Sequence, residues 1–354
     1  MEYVHGGDIY TDEGMTDFSA NINPLGPGAA VLLAAHASLE AISHYPDARC
    51  RRLRSALSGV LAVEPEYLVF GNGAAELIFL ITAADRPRRA VLVTPSFAEY
   101  KQALAASGCE VVNYQLQEAD GFQLDASYLD CLTPDVDMIF LCSPANPVGN
   151  VIDRKLLLKI LERCRKYQIR MVMDECFYEF LDTWQTDTLQ QEVILNPQLF
   201  VLRAFTKMHA MPGLRLGYGM CSDTELIQRM EQLRQPWSIS VVAQAAGLAA
   251  VYDSGHVSRT RSLIRTEREW MMAELTRIGI TFFPPRANYI FLKSSYSLDE
   301  ELKAKKILIR NCSNYDGLEN GYYRIAIRCR KENQLLIDAL TEVYESAVSW
   351  KGTG

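Results

Sequence analysis

Ile169-Arg170-Met171-Val172-Met173-Asp174-Glu175 is an apolar run of strand length that stops abruptly at two acids. Met171-Val172-Met173 shows no polar alternation, which suits a strand buried on both faces of a mainly parallel sheet covered by helices. Met138-Ile139-Phe140-Leu141 reads the same way. Outward from these runs, strand and helix patterns alternate. Strands are expected at Tyr67–Phe70, Val91–Thr94, Glu110–Leu116, Asp137–Leu141, Ile169–Met173, Leu199–Ala204 and Leu216–Met220. Helices are expected at Ala74–Ala84, Phe97–Ser107 and Asp153–Tyr167, the last with Asp153 as its N-cap. Right-handed crossovers between such strands build a doubly wound α/β domain.

After Asp223 the texture changes. Long helical stretches run to Ile278, followed by strands at Asn288–Leu292, Ile307–Arg310 and Tyr322–Arg328, a short helix among them, and a last amphipathic helix to about Val348. This reads as a smaller α+β unit. The first residues read as an extended arm, because Gly6-Gly7 and Asn23-Pro24-Leu25-Gly26-Pro27 interrupt regular structure. The expected division is an arm over 1–25, a large domain over 26–255 and a small C-terminal domain over 256–354.

Composition narrows the functions. A chain of 354 residues, 49% hydrophobic and 22% charged, is long enough to bury a large core without disulfides or structural metal. Its 36 Lys and Arg against 43 Asp and Glu give a net charge of −7, which argues against an extended nucleic-acid surface. Val241–Tyr252, interrupted by Gln244, falls short of the ~20 residues of a membrane span. Met1–Asp8 has neither a cationic nor an apolar segment, so no secretory signal is expected. Nine cysteines without C-x-x-C spacing point to free thiols, no metal and a cytoplasmic address.

Ligands of doubly wound sheets bind beyond the carboxyl ends of the strands, so the residues just after each run are the candidates. Gly71-Asn72-Gly73-Ala74-Ala75-Glu76 opens a helix, where small residues let backbone N–H groups approach a phosphate. A G-x-G is equally a tight turn, and Leu77 and Ile78 leave the G-x-G-x-x-G nicotinamide fingerprint incomplete. Asp174 either caps the next element or keeps a heterocyclic nitrogen protonated by charge pairing. Ser143-Pro144-Ala145-Asn146-Pro147 is a rigid turn that offers one amide, Asn146. Lys207 lies past an apolar strand, between Thr206 and a Pro-Gly turn, with Arg215 eight residues on. A lone lysine is ordinarily a solvated charge. A desolvated lysine near cations has a lowered pKa and can form a Schiff base, and an arginine there can clamp a phosphate.

In Tyr322–Arg328, Arg324 and Arg328 share one strand face, opposite Ile325 and Ile327. That face is either solvated or a binding surface. Arg310 follows Ile307-Leu308-Ile309. Two separate arginines suit a substrate with both a carboxylate and a phosphate.

The cradle, Asn146, Asp174 and the Lys207–Arg215 segment occur in chain order, each at a strand end. With His5-Gly6-Gly7, Asp17–Gly26, Tyr45-Pro46-Asp47, Thr94–Tyr100, Pro212–Tyr218 and Ile307–Arg328, the sequence resembles fold-type-I pyridoxal-phosphate enzymes, in the branch of the histidinol-phosphate aminotransferases. Within that branch it is most similar to decarboxylases of O-phospho-amino acids that serve cobamide synthesis. The resemblance covers essentially the whole chain.

It implies that Lys207 carries pyridoxal 5'-phosphate and later moves protons, and that Asp174 pairs with the pyridinium nitrogen. Asn146 would bond the ring's phenolic oxygen and Phe97 would stack on the ring, although an aromatic at a helix start is also ordinary core. Gly73, Ala74, Thr206 and Arg215 would hold the cofactor phosphate. Tyr45 would reach the neighbouring subunit's cofactor in a homodimer with shared sites. His5, Asn21, Arg310 and Arg324 would bind the substrate, and Arg328 is equally a structural residue.

The sequence departs from the pattern where Ala204 replaces a serine, Val148 a threonine, and Phe177 a tyrosine of the aminotransferases. The loss at Phe177 is shared with the decarboxylases; Tyr178 next to it either compensates or is aimed elsewhere by a one-residue step. The implied reaction is decarboxylation of O-phosphothreonine or O-phosphoserine to an amino-alcohol phosphate. Amino transfer from histidinol phosphate to 2-oxoglutarate is the enzymatic alternative. A regulatory protein that keeps the fold without chemistry is the non-enzymatic one, and the presence of Lys207 with Asp174 weighs against it.

Overall fold

The computed structural model describes residues 5–11 and 13–351. The arm is not wholly irregular: β1 (Thr16–Asp17) lies within it. Seven strands then form the large sheet: β2 (Leu68–Gly71), β3 (Arg89–Thr94), β4 (Glu110–Gln115), β5 (Met138–Cys142), β6 (Arg170–Asp174), β7 (Leu199–Ala204) and β8 (Gly217–Met220), in the order β2-β8-β7-β6-β5-β3-β4. Each strand expected from the sequence in this region is present, displaced by two residues at most. All neighbours are parallel except at β8, which runs against both β2 and β7.

Both faces of this sheet are buried, as its unbroken apolar runs require. Met171 and Met173 pack in one core with Leu157 and Ile160, while Val172 packs on the other face with Ile78 and Leu104. The helices are α1 (Ala29–Ser38), α2 (Arg51–Leu61), α3 (Gly73–Asp85), α4 (Ala98–Ala106), α5 (Arg154–Tyr167), α6 (Trp184–Asp187), α7 (Thr224–Leu233) and α8 (Val241–Val251). Asp153 caps α5 as expected, its carboxylate accepting from the Leu156 N–H at 3.0 Å. Phe97 is the N-cap of α4 rather than its first helical residue.

The long α9 (Ser254–Ile278) leads to a four-stranded antiparallel sheet, which α10 (Leu298–Ala304) and α11 (Arg330–Lys351) accompany. Its strands are β9 (Thr281–Phe283), β10 (Tyr289–Lys293), β12 (Arg310–Asn311) and β13 (Tyr322–Ala326); β11 (Ile307–Leu308) stands apart. Two expectations fail here. Ile307–Arg310 is not one strand, because β11 pairs with β1 of the arm and β12 with β13. No local pattern could announce a partner 291 residues away in the chain. β13 stops at Ala326, because buried Asn333 accepts from the Arg328 N–H and donates to its carbonyl, starting α11.

No helix among the described residues is long and apolar enough to cross a membrane, and all nine cysteines are free.

At the ends of β6 and β7, Glu175 and Arg203 form an ion pair at 2.8 Å with side chains 1% and 2% exposed. Glu175 also accepts from the Leu189 N–H and Thr188, so its removal strands a buried guanidinium and a backbone donor. Glu175→Ala is expected to cost about 3–5 kcal/mol, read as a lower midpoint in chemical denaturation. A midpoint unchanged from the parent protein would mean that this pair does not brace the two strands.

Candidate active site

Strand direction decides which residues meet. β2, β3, β5, β6 and β7 all end at one edge of the large sheet, and antiparallel β8 begins there. β3 and β4 lie to one side of β5 and the later strands to the other, so the crevice falls at the topological switch point. A cavity of about 320 Å³ opens there. Of the residues read from the sequence, Ala74, Phe97, Asn146, Asp174, Thr206, Lys207 and Arg215 line it from the large sheet. The arm contributes His5 and Asn21, and the small sheet contributes Arg310 and Arg324.

Lys207 follows β7, with its Nζ 5.6 Å from the Phe177 ring centroid. Burial first, then Arg324 and Arg215, pull its ammonium from the usual lysine range down to about 8. The segment is held by the arm: Asn23 donates its N–H to the Lys207 carbonyl at 3.1 Å and its Nδ2 to the Met208 carbonyl at 2.8 Å. Asn23 was not singled out from the sequence, where Asn-Pro reads only as a turn.

Asp174 closes β6. Burial raises its pKa, and bonds from Tyr100 and the Cys176 N–H partly offset that rise. The Tyr100 hydroxyl donates to Oδ2 at 2.5 Å and Cys176 N donates to Oδ1 at 2.8 Å. A cation at this spot would favour the ionised carboxylate. Tyr100 also escaped the sequence reading, although it stands one helical turn after Phe97.

A close corner between Gly73 and Arg215 lies at the start of α3. Gly73 has φ +80°, and a Cβ there would stand 2.5 Å from Arg215 Nη2. Gly73 does not itself line the cavity; Ala74 and Ala75 do. Ala204 lines it beside Thr206, whereas Val148 is buried in the core.

Asn146 is fixed by the small sheet. Its Oδ1 accepts from Arg324 and, at 3.4 Å, from the Tyr315 hydroxyl, leaving the amide's Nδ2 end as the donor. Arg324 also donates to the Ser19 carbonyl at 2.8 Å, while its Nε has no partner. Arg324 is buried and lines the cavity, so its strand face is not a solvated one. Arg310 donates to Asn314 Oδ1 at 2.8 Å and lies 5.3 Å from the Tyr315 ring centroid. Asn21 is 1% exposed, with neither amide atom partnered.

The remaining expectations separate cleanly. Arg328 binds Glu332 and the Asp17 carbonyl, a structural role. Tyr178 packs on Arg203 at 3.8 Å and lines a different cavity, so it does not replace the hydroxyl absent at Phe177. Tyr45 lies outside its own chain's cavity, 79% exposed and stacked on Trp237 at 4.3 Å.

The sequence profile of the aminotransferase class I and II family matches residues 13–340. A threonine-phosphate decarboxylase of Salmonella typhimurium is 41% identical over 354 residues, spanning 96% of each chain. The crystal structure of L-threonine-O-3-phosphate decarboxylase from Porphyromonas gingivalis aligns with a TM-score of 0.80 at 25% identity, over 93% of this chain and 99% of that one. A histidinol-phosphate aminotransferase from Clostridium acetobutylicum aligns with a TM-score of 0.87 at 29% identity, over 93% and 99%. The fold is therefore common to both reactions and does not separate them.

An amine with a pKa of about 8 is largely neutral, and so nucleophilic, above that pH, whereas an ordinary lysine is neutral only above about 10.4. Labelling of the cofactor-free protein with an amine-directed reagent, followed by peptide mapping, is expected to show the Lys207 rate rising with pH and half-maximal near 8. A Lys207 profile that tracks the surface lysines would contradict the desolvated amine.

Proposed function

The chain belongs to the aminotransferase class I and II family, and on that premise we propose a pyridoxal-phosphate-dependent carboxy-lyase. It removes CO2 from L-threonine O-3-phosphate or O-phosphoserine and leaves an amino-alcohol phosphate for a cobamide nucleotide loop. The observation that carries this reading is the pair of arginines, Arg310 and Arg324, paired across β12 and β13 and both lining one cavity with Lys207. Arg324 is tied to Asn146 at the sheet edge, and Arg310 faces His5 and Glu99 on the arm side. Two cations in one cavity suit a substrate with two anions. The decarboxylase relative supports the same choice.

The donor set fits the cofactor. Gly73 leaves room beside Arg215 that a Cβ would fill, and a buried carboxyl and a nucleophilic amine face one cavity. Lys207 would carry pyridoxal 5'-phosphate, with Asp174 at its ring nitrogen, Asn146 and Phe97 on the ring, and Ala74, Thr206 and Arg215 on its phosphate. Tyr45 would serve the partner subunit's site in a homodimer. When bound, the cofactor supplies an electron sink conjugated to the substrate α-carbon.

The protein's own task is orientation. The bond to be broken must stand perpendicular to the ring. Arg324 would hold the α-carboxylate, and its bonds to Ser19 and Asn146 keep it from following the substrate. Such a pair stabilises the carboxylate more than neutral CO2, so its grip must be offset elsewhere. Binding of the remote phosphate by Arg310, His5 and Asn21 is the available source. Lys207 would return a proton to the α-carbon. Phe177 offers no hydroxyl to the phenolic oxygen. The working units are an arm over 1–25, a large domain over 26–255 and a small domain over 256–354. Both domains and the arm contribute cavity residues.

Product analysis separates the reactions. O-Phosphothreonine is expected to give CO2 and an amino-alcohol phosphate, with negligible glutamate from histidinol phosphate and 2-oxoglutarate. O-Phosphoserine is expected to react too, since one methyl group is worth only about 1–3 kcal/mol of discrimination. Rapid glutamate formation without CO2 from either phospho-amino acid would assign the chain to the aminotransferases.

A further inference from the structure

At the arm end of the cavity, among groups suited to binding an anion, stands an acid. Glu99 lies in the first turn of α4 with its side chain 15% exposed. Its Oε1 is 3.5 Å from His5 Nε2, and its Oε2 is buried without a hydrogen-bond partner. Both Glu99 and Arg310 line the cavity. An ionised carboxylate here would repel the phosphate that His5 and Arg310 are placed to receive. A protonated one would donate to it.

We propose that Glu99 binds the substrate phosphate as a neutral acid, donating its proton to a phosphate oxygen beside His5 and Arg310, so that the anion enters together with one proton from solvent. The proposal rests on the phospho-amino-acid reading above and adds to it a protonation requirement.

The surroundings bear this out. Charged or titratable groups act on Glu99 from several elements: His5 on the arm, Asp174 at the end of β6, Lys207 after β7 and Arg310 on β12, with the Tyr315 hydroxyl in the same cavity. Burial outweighs the two cations and pushes Glu99 up to about 7. His5 is lowered by burial and by Arg310, so the proton rests on the carboxyl group rather than the imidazole. Asp174 is a further acid that disfavours a second negative charge. The unpartnered Oε2 is the atom positioned to donate.

The test compares the wild-type holoenzyme with Glu99→Gln, which keeps a donor of the same size and cannot ionise. Inorganic phosphate is titrated calorimetrically near pH 6 and near pH 8, in buffers of different protonation heat. With Glu99 near 7, the ratio of wild-type to Glu99→Gln Kd is expected to rise about tenfold between those two conditions. The phosphate's own titration and that of His5 cancel in the ratio. Wild type should also take up close to one proton more than the variant near pH 8. A flat ratio would overturn the proposal; a flat ratio with weaker binding by Glu99→Gln at both pH values would make Glu99 an ionised support for His5.

A merely structural acid would not produce a pH-dependent ratio. An unaltered cofactor absorption band certifies the variant's fold. Should it misfold, sulfate, which does not titrate in this range, is bound instead to wild type and His5→Gln. Proton uptake by both is expected, and none by either would be a refutation. Proton-coupled anion binding without CO2 release overturns the reaction alone, and CO2 release without the proton effect overturns the role of Glu99 alone.

Discussion

Gly217 opens β8 level with Gly71 of β2 and Ala204 of β7, and a Cβ on it would stand 2.6 Å from the Ala74 backbone nitrogen. The start of α3 and the start of β8 can touch only because nothing projects between them. That approach brings the free N–H groups of a helix N-terminus beside Arg215 and the Lys207 segment. A reversed strand is what makes it possible. Were β8 parallel to its neighbours, Arg215 would lie at the far edge of the sheet, a full strand length from Lys207.

On this frame, burial pushes two charges in opposite directions. It raises Asp174 and lowers Lys207, so that both lean toward their neutral forms: a carboxyl group that a cation at this spot would ionise, and an amine that is nucleophilic at a lower pH than an ordinary lysine. Tyr100 and Cys176 supply the bonds that keep Asp174 oriented, and Asn23 pins the backbone at Lys207 from the arm. The Glu175–Arg203 pair braces the same strand ends from outside the cavity. Precision at the reacting groups thus depends on contacts between segments far apart in sequence.

That dependence explains what was legible. The large sheet was readable because Met138–Leu141 and Met171–Met173 are apolar without alternation, and because each candidate residue follows such a run. Arg324 was readable as one face of an alternating strand, but its burial comes from Asn146 and Ser19, which no periodicity reveals. The split of Ile307–Arg310 depends on the arm strand Thr16–Asp17, and the end of β13 on Asn333. Tyr100, Tyr315, Asn23 and Glu99 escaped notice because a tyrosine, an asparagine or a helix-start acid is ordinary until its partners are known. The family resemblance supplied roles for Phe97 and Tyr45 that the residues alone did not.

Every proposed role at this site depends on Lys207 as the cofactor's covalent anchor. Borohydride reduction of the purified holoenzyme followed by peptide mapping tests this directly. The expected result is loss of the cofactor's visible absorption and a pyridoxyl group on the peptide containing Lys207. A pyridoxyl group on another lysine, or none on any peptide of a protein purified with its cofactor, would contradict it.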